Sequence, residues 1–177
     1  PYYSKALSLK AETEYVRAIR GGVGEAKTAG NYAASLFPAQ LAKEQGFDQI
    51  MWLDGAEFKY VQEVGTMNLC FVIDNKVVSP LPVGAVLKGI TRKTILEILK
   101  SEGYEVEERP VTIDELYEAH ANGKLQEVFG TGTAAVVSVV KSISYKGDVI
   151  ELDPDQYKVE PFAKSYITKL RRGAIED

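Results

Sequence analysis

The chain has 177 residues, 45% of them hydrophobic and 26% charged, with a net charge of −4, which is enough apolar material for one sizeable core and makes one domain the default. Its basic residues are spread along the chain, which argues against a nucleic-acid footprint built on a basic face. No apolar run approaches the length of a membrane span, and no charged-then-apolar leader precedes the first periodic segment.

Residues 1–14 read as an interdomain linker or the start of a fragment, ahead of one domain over 15–177. Tyr15 to Ile19 reads as a strand running into a glycine-rich turn. Asn31 is an N-cap type, and Ala34, Leu36, Phe37, Leu41 and Ala42 follow helical spacing until Gly46 stops the helix. Gln49 to Asp54 and Phe58 to Glu63 read as strands around a turn at Asp54-Gly55, and Leu69 to Asp74 with Lys76 to Ser79 as a hairpin across Asp74-Asn75. Cys70, the single cysteine, falls in an apolar run, which excludes a disulfide framework and points to a reducing, cytoplasmic setting. Thr91 opens a helix through Lys100, with Ile95, Ile98 and Leu99 on one face. Tyr104 to Arg109 reads as a half-exposed strand whose Glu105, Glu107 and Glu108 face solvent. Thr112-Ile113-Asp114-Glu115 fits a capping box for a helix through Ala121, near whose end His120 reads as a surface or capping residue. Leu125 to Phe129 and the valine-rich Ala135 to Tyr145 are strands, Lys146-Gly147-Asp148 a turn, and Tyr157 to Arg172 a terminal amphipathic helix. Many strands with few helices between them imply a mixed α+β sheet, not a regular doubly wound fold.

Four segments carry chemistry. Gly21-Gly22-Val23-Gly24-Glu25-Ala26-Lys27-Thr28-Ala29-Gly30-Asn31-Tyr32 puts one amine among small residues at the foot of a helix, where it can approach a flat cofactor and form a Schiff base with a carbonyl. Taken alone, it also reads as a surface turn with a solvated lysine. Leu87-Lys88-Gly89-Ile90-Thr91-Arg92 places glycine and threonine at a helix start, an anion site or an ordinary cap. Gly130-Thr131-Gly132-Thr133-Ala134 reads as an anion-binding nest or a tight interstrand turn. Gln62-Glu63-Val64-Gly65-Thr66-Met67-Asn68 ends a strand with a carboxylate beside an apolar region. No metal-ligand cluster is apparent.

Together, Gly-Gly-Val-Gly-Glu-Ala-Lys-Thr-Ala-Gly-Asn-Tyr, Glu-Val-Gly-Thr-Met-Asn, Gly-Ile-Thr-Arg and Phe-Gly-Thr-Gly-Thr-Ala resemble the branched-chain aminotransferases, pyridoxal-phosphate enzymes of fold type IV. The resemblance runs from about Tyr15 onward and corresponds to the large C-terminal cofactor-binding domain, without the smaller N-terminal one. It implies the D-amino-acid-aminotransferase-like fold, with a mixed, barrel-like sheet and flanking helices. It makes Lys27 the Schiff-base lysine and proton carrier, and Glu63 the partner of the pyridine nitrogen. Tyr32 would be the phenol near the cofactor's 3′ oxygen, Leu87 would pack on the ring face, and Asn68 would support Glu63 or the ring edge. Gly89, Ile90 and Thr91, with Thr131, Gly132 and Thr133, would cradle the phosphate. Thr133 and Ala134 would receive the substrate carboxylate, while Thr66, Met67 and Tyr32 border the substrate.

The implied reaction is transamination of leucine, isoleucine and valine with 2-oxoglutarate or glutamate in a homodimer, with no nucleic-acid or membrane partner. A chain without the N-terminal domain, which carries the family's phosphate-contacting arginine, is expected to show little turnover alone. A redox-sensitive cysteine pair found in some relatives corresponds to Ala135 and Ser138, so thiol regulation of that kind is not expected. D-amino-acid transamination or aminodeoxychorismate lyase chemistry on the same fold, and a non-catalytic binding module, remain the alternatives.

Overall fold

Among the described residues, nine strands make one mixed sheet: β1 (Leu7–Ala11), β2 (Gln49–Leu53), β3 (Val61–Val64), β4 (Met67–Ile73), β5 (Lys76–Ser79), β6 (Val106–Glu108), β7 (Leu125–Gly132), β8 (Val136–Tyr145) and β9 (Asp148–Glu151). Four α-helices flank it among the described residues: α1 (Ala29–Glu44), α2 (Ile90–Ser101), α3 (Ile113–Ala121) and α4 (Val159–Arg171). The computed structural model describes residues 5–134 and 136–175. Neighbours run β3-β2-β1-β8-β7-β4, and β4 pairs back onto β3, so six strands close on themselves; β5 and β6 extend from β4, and β9 from β8. Closure satisfies the backbone groups that an open edge would leave exposed.

Alternation along β4 divides the core. Met67, Leu69 and Phe71 belong to the cluster inside the barrel, whereas Cys70 and Val72 belong to the layer beneath α2 and α4, because successive strand residues point to opposite faces. The inner cluster takes Ile113, Leu116 and Ala119 from α3, and the outer one Ile95 and Leu99 from α2 with Ala163 and Ile167 from α4. A third, small cluster joins Ala42 of α1 to Ile50 and Trp52 of β2.

Several boundaries differ from the sequence expectation. Within the expected lead-in 1–14, residues 7–11 form β1, which pairs in parallel with both β2 and β8. Tyr15 to Ile19 is irregular, not a strand. The buried Glu12 accepts the backbone N–H groups of Thr13, Glu14 and Tyr15 at 3.0, 2.9 and 3.2 Å, which turns the chain away from the sheet as β1 ends. Helix α1 starts at Ala29, ahead of Asn31, and it buries Asn31, Pro38 and Ala42 while leaving Leu36 and Phe37 exposed. Lys146 and Gly147 form the expected turn, but Asp148, read as part of it, begins β9 (Asp148–Glu151).

Local signals match the structure where the partner is local. Thr112 caps α3 by accepting the Glu115 N–H at 3.1 Å, although the Glu115 carboxylate pairs with Arg109. Asp74 and Asn75 take the left-handed conformation of a tight hairpin turn. His120 sits within hydrogen-bond distance of the Glu151 carbonyl and ties α3 to β9. The acidic run on β6 is paired, not merely solvated: Glu107 with Lys76 and Arg109, Glu108 with Arg92. Burial pushes the Cys70 thiol up to about 11. Of the two positions matched to the cysteine pair, Ser138 is buried on β8 and Ala135 lies outside the described residues.

Candidate active site

A row of buried polar side chains crosses three neighbouring strands. Glu63 on β3 is registered against Asn68 on β4, and Asn68 against Thr131 on β7. Paired residues in a sheet project to the same face, and Asn68 shares the alternation of Cys70 and Val72, so the row lies on the outer face of the barrel. All three are nearly inaccessible to water, a placement in which polar groups need bonding partners.

The loop between β5 and α2 closes over this row. The Leu87 N–H donates to Glu63 Oε1 at 2.7 Å, and Asn68 Nδ2 donates to the Leu87 carbonyl at 2.9 Å. Gly89, immediately before α2, is pressed against the Asn68 side chain, which an added Cβ would strike; no other residue permits so close an approach. Thr131 Oγ1 is buried with no hydrogen-bond partner among the described residues. Thr91 is buried at the start of α2, where Arg171 donates to its hydroxyl at 3.3 Å, and Ile90 beside it is exposed.

The glycine turn forms the opposite wall. Asn31 Nδ2 donates to the Val23 and Ala26 carbonyls at 2.9 and 2.7 Å, so it braces the turn that presents Lys27 and does not cap the helix. Gly24 lies against the Ala85 carbonyl and Ala18 with no room for a Cβ, and Glu25 accepts the Gly84 N–H at 2.9 Å. These contacts fasten the Lys27 turn to the β5–α2 loop. Arg17, from the irregular segment between β1 and this turn, is buried with Nη2 3.4 Å from Glu63 Oε2 and donates to the Ala85 carbonyl. Burial raises the Glu63 carboxyl above its ordinary value, opposed by the Arg17 charge and the Leu87 N–H.

Arg17, Lys27, Tyr32, Glu63, Thr66 and Leu87 line one cleft. Asn68, Gly89 and Thr131 do not line that cleft; Asn68 is tied to it through the Leu87 carbonyl and its register with Glu63, Gly89 packs on Asn68, and Thr131 is the strand partner of Asn68. Met67 does not reach it: strand alternation sends its side chain into the barrel, against Gly130 and Gly132. Gly132 ends β7, and Thr133 and Ala134 form the exposed turn that follows. Sequence reasoning missed Arg17 and the bracing role of Asn31. A lone arginine between Val16 and Ala18 was the available signal for the first, and the strand reading of that segment hid it.

Residues 5–143 match the family described as Amino-transferase class IV. The chain belongs to that family. Within it, a protein of Staphylococcus aureus (strain N315) named probable branched-chain-amino-acid aminotransferase is 49% identical over 174 residues, covering 98% of this chain and 49% of the relative. Branched-chain-amino-acid aminotransferase 2 of Bacillus subtilis (strain 168) is 45% identical over 98% of this chain and 48% of its own length. This class IV chain thus spans about half the length of the curated relatives it matches. Among solved structures, the branched-chain amino acid aminotransferase from Escherichia coli superimposes with a TM-score of 0.81 at 28% identity, over 97% of this chain and 55% of that one. A second branched-chain amino acid aminotransferase, complexed with N-(5′-phosphopyridoxyl)-L-glutamate, gives a TM-score of 0.78 at 30% identity, over 93% of this chain and 51% of that one. The closed mixed sheet with flanking helices is therefore the fold-type-IV architecture.

Proposed function

We propose that this class IV chain forms the pyridoxal-phosphate-binding part of a branched-chain amino-acid aminotransferase acting on leucine, isoleucine and valine with 2-oxoglutarate as amino acceptor. The observation that carries the reading is that Lys27 and Glu63, far apart in sequence, line one cleft with Tyr32. The residues present fit the cofactor group by group. Glu63 supplies a buried carboxylate for the pyridine nitrogen, Tyr32 a phenol for the 3′ oxygen, and Lys27 an amine for the carbonyl carbon. Thr131 offers a hydroxyl without a partner. The first backbone N–H groups of α2, reached past a glycine, suit a phosphate.

When bound, pyridoxal phosphate supplies an electron sink for bond changes at the α-carbon of the amino acid. Lys27 Nζ would carry the proton taken from that carbon. Glu63 would hold a proton at the pyridine nitrogen, and Leu87 would pack against the ring. Gly89, Ile90, Thr91, Thr131 and Gly132 would hold the phosphate, and the N–H groups of Thr133 and Ala134 would orient the substrate carboxylate. Thr66 borders the side-chain pocket, in which each buried methylene contributes about 0.8 kcal/mol. Polar side chains are disfavoured there because they lose water without gaining a partner. A homodimeric assembly belongs to the same reading, and the single buried cysteine supports a cytoplasmic setting.

Incubation with pyridoxal phosphate, borohydride reduction and peptide mapping test the assignment. Label is expected on Lys27 and absent from Lys27→Ala; label on another lysine overturns it. Substrate profiling of the enzyme addresses specificity, and turnover of D-amino acids in preference to leucine would favour the other chemistries of this fold.

A further inference from the structure

We propose that Arg17 is the positioning residue that keeps Glu63 ionised and fixed for the pyridine nitrogen, by tying the β3 carboxylate to the loop that carries Leu87 and Gly89. The proposal rests on the cofactor reading above. The two oxygens of Glu63 are treated differently. Oε1 takes the Leu87 N–H at 2.7 Å and is committed. Oε2 stands 3.4 Å from Arg17 Nη2, close enough for strong attraction in a buried setting but longer than a tight hydrogen bond. Arg17 therefore stabilises the negative charge while leaving Oε2 able to accept a further N–H.

The same Nη2 donates to the Ala85 carbonyl, so one guanidinium sets both the carboxylate and the loop that bonds to it. Arg17 Nε is buried with no partner among the described residues. A buried cation with an unspent donor costs the fold stability, as expected of a group placed for a site and not for packing. The charged groups facing Glu63 among the described residues are Arg17, from the segment after β1, and Lys27, across the cleft. Its strand neighbour Asn68 is neutral, so no second fixed cation on the strands replaces Arg17. Without it, desolvation acts on Glu63 opposed chiefly by one N–H, and the carboxyl takes up a proton. A neutral carboxyl does not hold the pyridine nitrogen in its charged form.

The test starts with the cofactor-free chain. Infrared spectra with ¹³C-labelled glutamate follow the protonated-carboxyl band that is missing in Glu63→Gln. The midpoint of that band is expected to rise in the order parent, Arg17→Lys, Arg17→Met, by about one pH unit or more for the last, the lower end of what an adjacent opposite charge produces. An equal midpoint in all three overturns the proposal. Should Arg17→Met not fold, Arg17→Lys decides, because its shorter, single-headed amine is expected to give a small upward shift and an unchanged midpoint counts against the tie. Pyridoxal-phosphate binding closes the cycle. Arg17→Met is expected to weaken Kd about tenfold beside Glu63 and to change it little in a Glu63→Gln background, whereas an equal loss in both backgrounds shows Arg17 acting by another route. The infrared titration needs no cofactor, so a parent chain that binds no pyridoxal phosphate would sink the functional reading separately from the Arg17–Glu63 tie.

Discussion

Two carboxylates show how the same side-chain chemistry is put to opposite uses. At Glu63 burial prevails and the folded value is raised, so ionisation costs the cofactor-free fold. Any stability this group contributes is present below the ordinary carboxylate range and lost as pH rises. At Asp48 burial also raises the value, but it is outweighed by the Ser8 N–H at 2.9 Å, the Ser8 hydroxyl at 2.8 Å and Lys5 at 3.1 Å, and the net shift is downward from 3.8. The sign is then reversed: the unfolded chain binds more protons through this range, so the contribution is present above 3.8 and lost as pH falls through the folded value. Asp48→Asn is expected to cost about 1 kcal/mol near pH 7, a modest figure because the pair is partly solvated. Thermal melts should show the gap to the parent closing below that range. A gap that stays constant with pH would show that the charge is not what matters.

Among the elements, α4 depends on a residue about thirty positions before it. The helix has no side-chain cap of its own. Glu127 on β7 supplies one, accepting the N–H groups of Lys158 and Val159 through Oε1 at 2.7 and 2.8 Å and that of Glu160 through Oε2 at 2.8 Å. A buried carboxylate at a helix N-terminus satisfies orphan donors and opposes the positive end of the dipole. Glu127→Ala is expected to lose about 1–3 kcal/mol and to speed amide exchange at Val159, Glu160, Phe162 and Ala163, while α2 and α3 exchange as before. Uniform acceleration across all three helices would point to global destabilisation instead. Thr112 differs in kind: its partner lies three residues on and is readable from a capping box, whereas no local window contains both Glu127 and Val159.

The molecule as a whole is organised by closure of the barrel, and β1 is the strand that permits it. Leu9 is fully buried at its centre, in a strand that bonds to β2 and β8 at once. Leu9→Ala is expected to cost about 2–5 kcal/mol, read as a lower urea midpoint. Leu36→Ala, on an exposed face of α1, should change the stability by less than about 0.5 kcal/mol. Similar shifts for both would mean that β1 is not integral to the core. Strand pairing also sets the site: the local β3–β4 hairpin puts Glu63 beside Asn68, and the long-range pairing of β4 with β7 adds Thr131 to the row.

The features legible in the chain alone are local in physical origin. Helical periodicity marks α2 and α3, the Asp74-Asn75 pair marks a hairpin, and the small residues around Lys27 mark a turn that admits close approach, because each depends on neighbours within a few positions. The residue types for a phosphate-bearing aromatic cofactor are legible for the same reason. Long-range packing was needed to show that residues 7–11 belong to the barrel, that Met67 faces inward while Asn68 faces outward, and that Arg17 meets Glu63. Strand pairing is non-local, a one-residue change of register exchanges the two faces of a sheet, and an arginine's burial depends on what folds over it. Glu63 is visible as a candidate from its motif, but its ionisation is governed by a cation and an N–H brought to it from two distant segments.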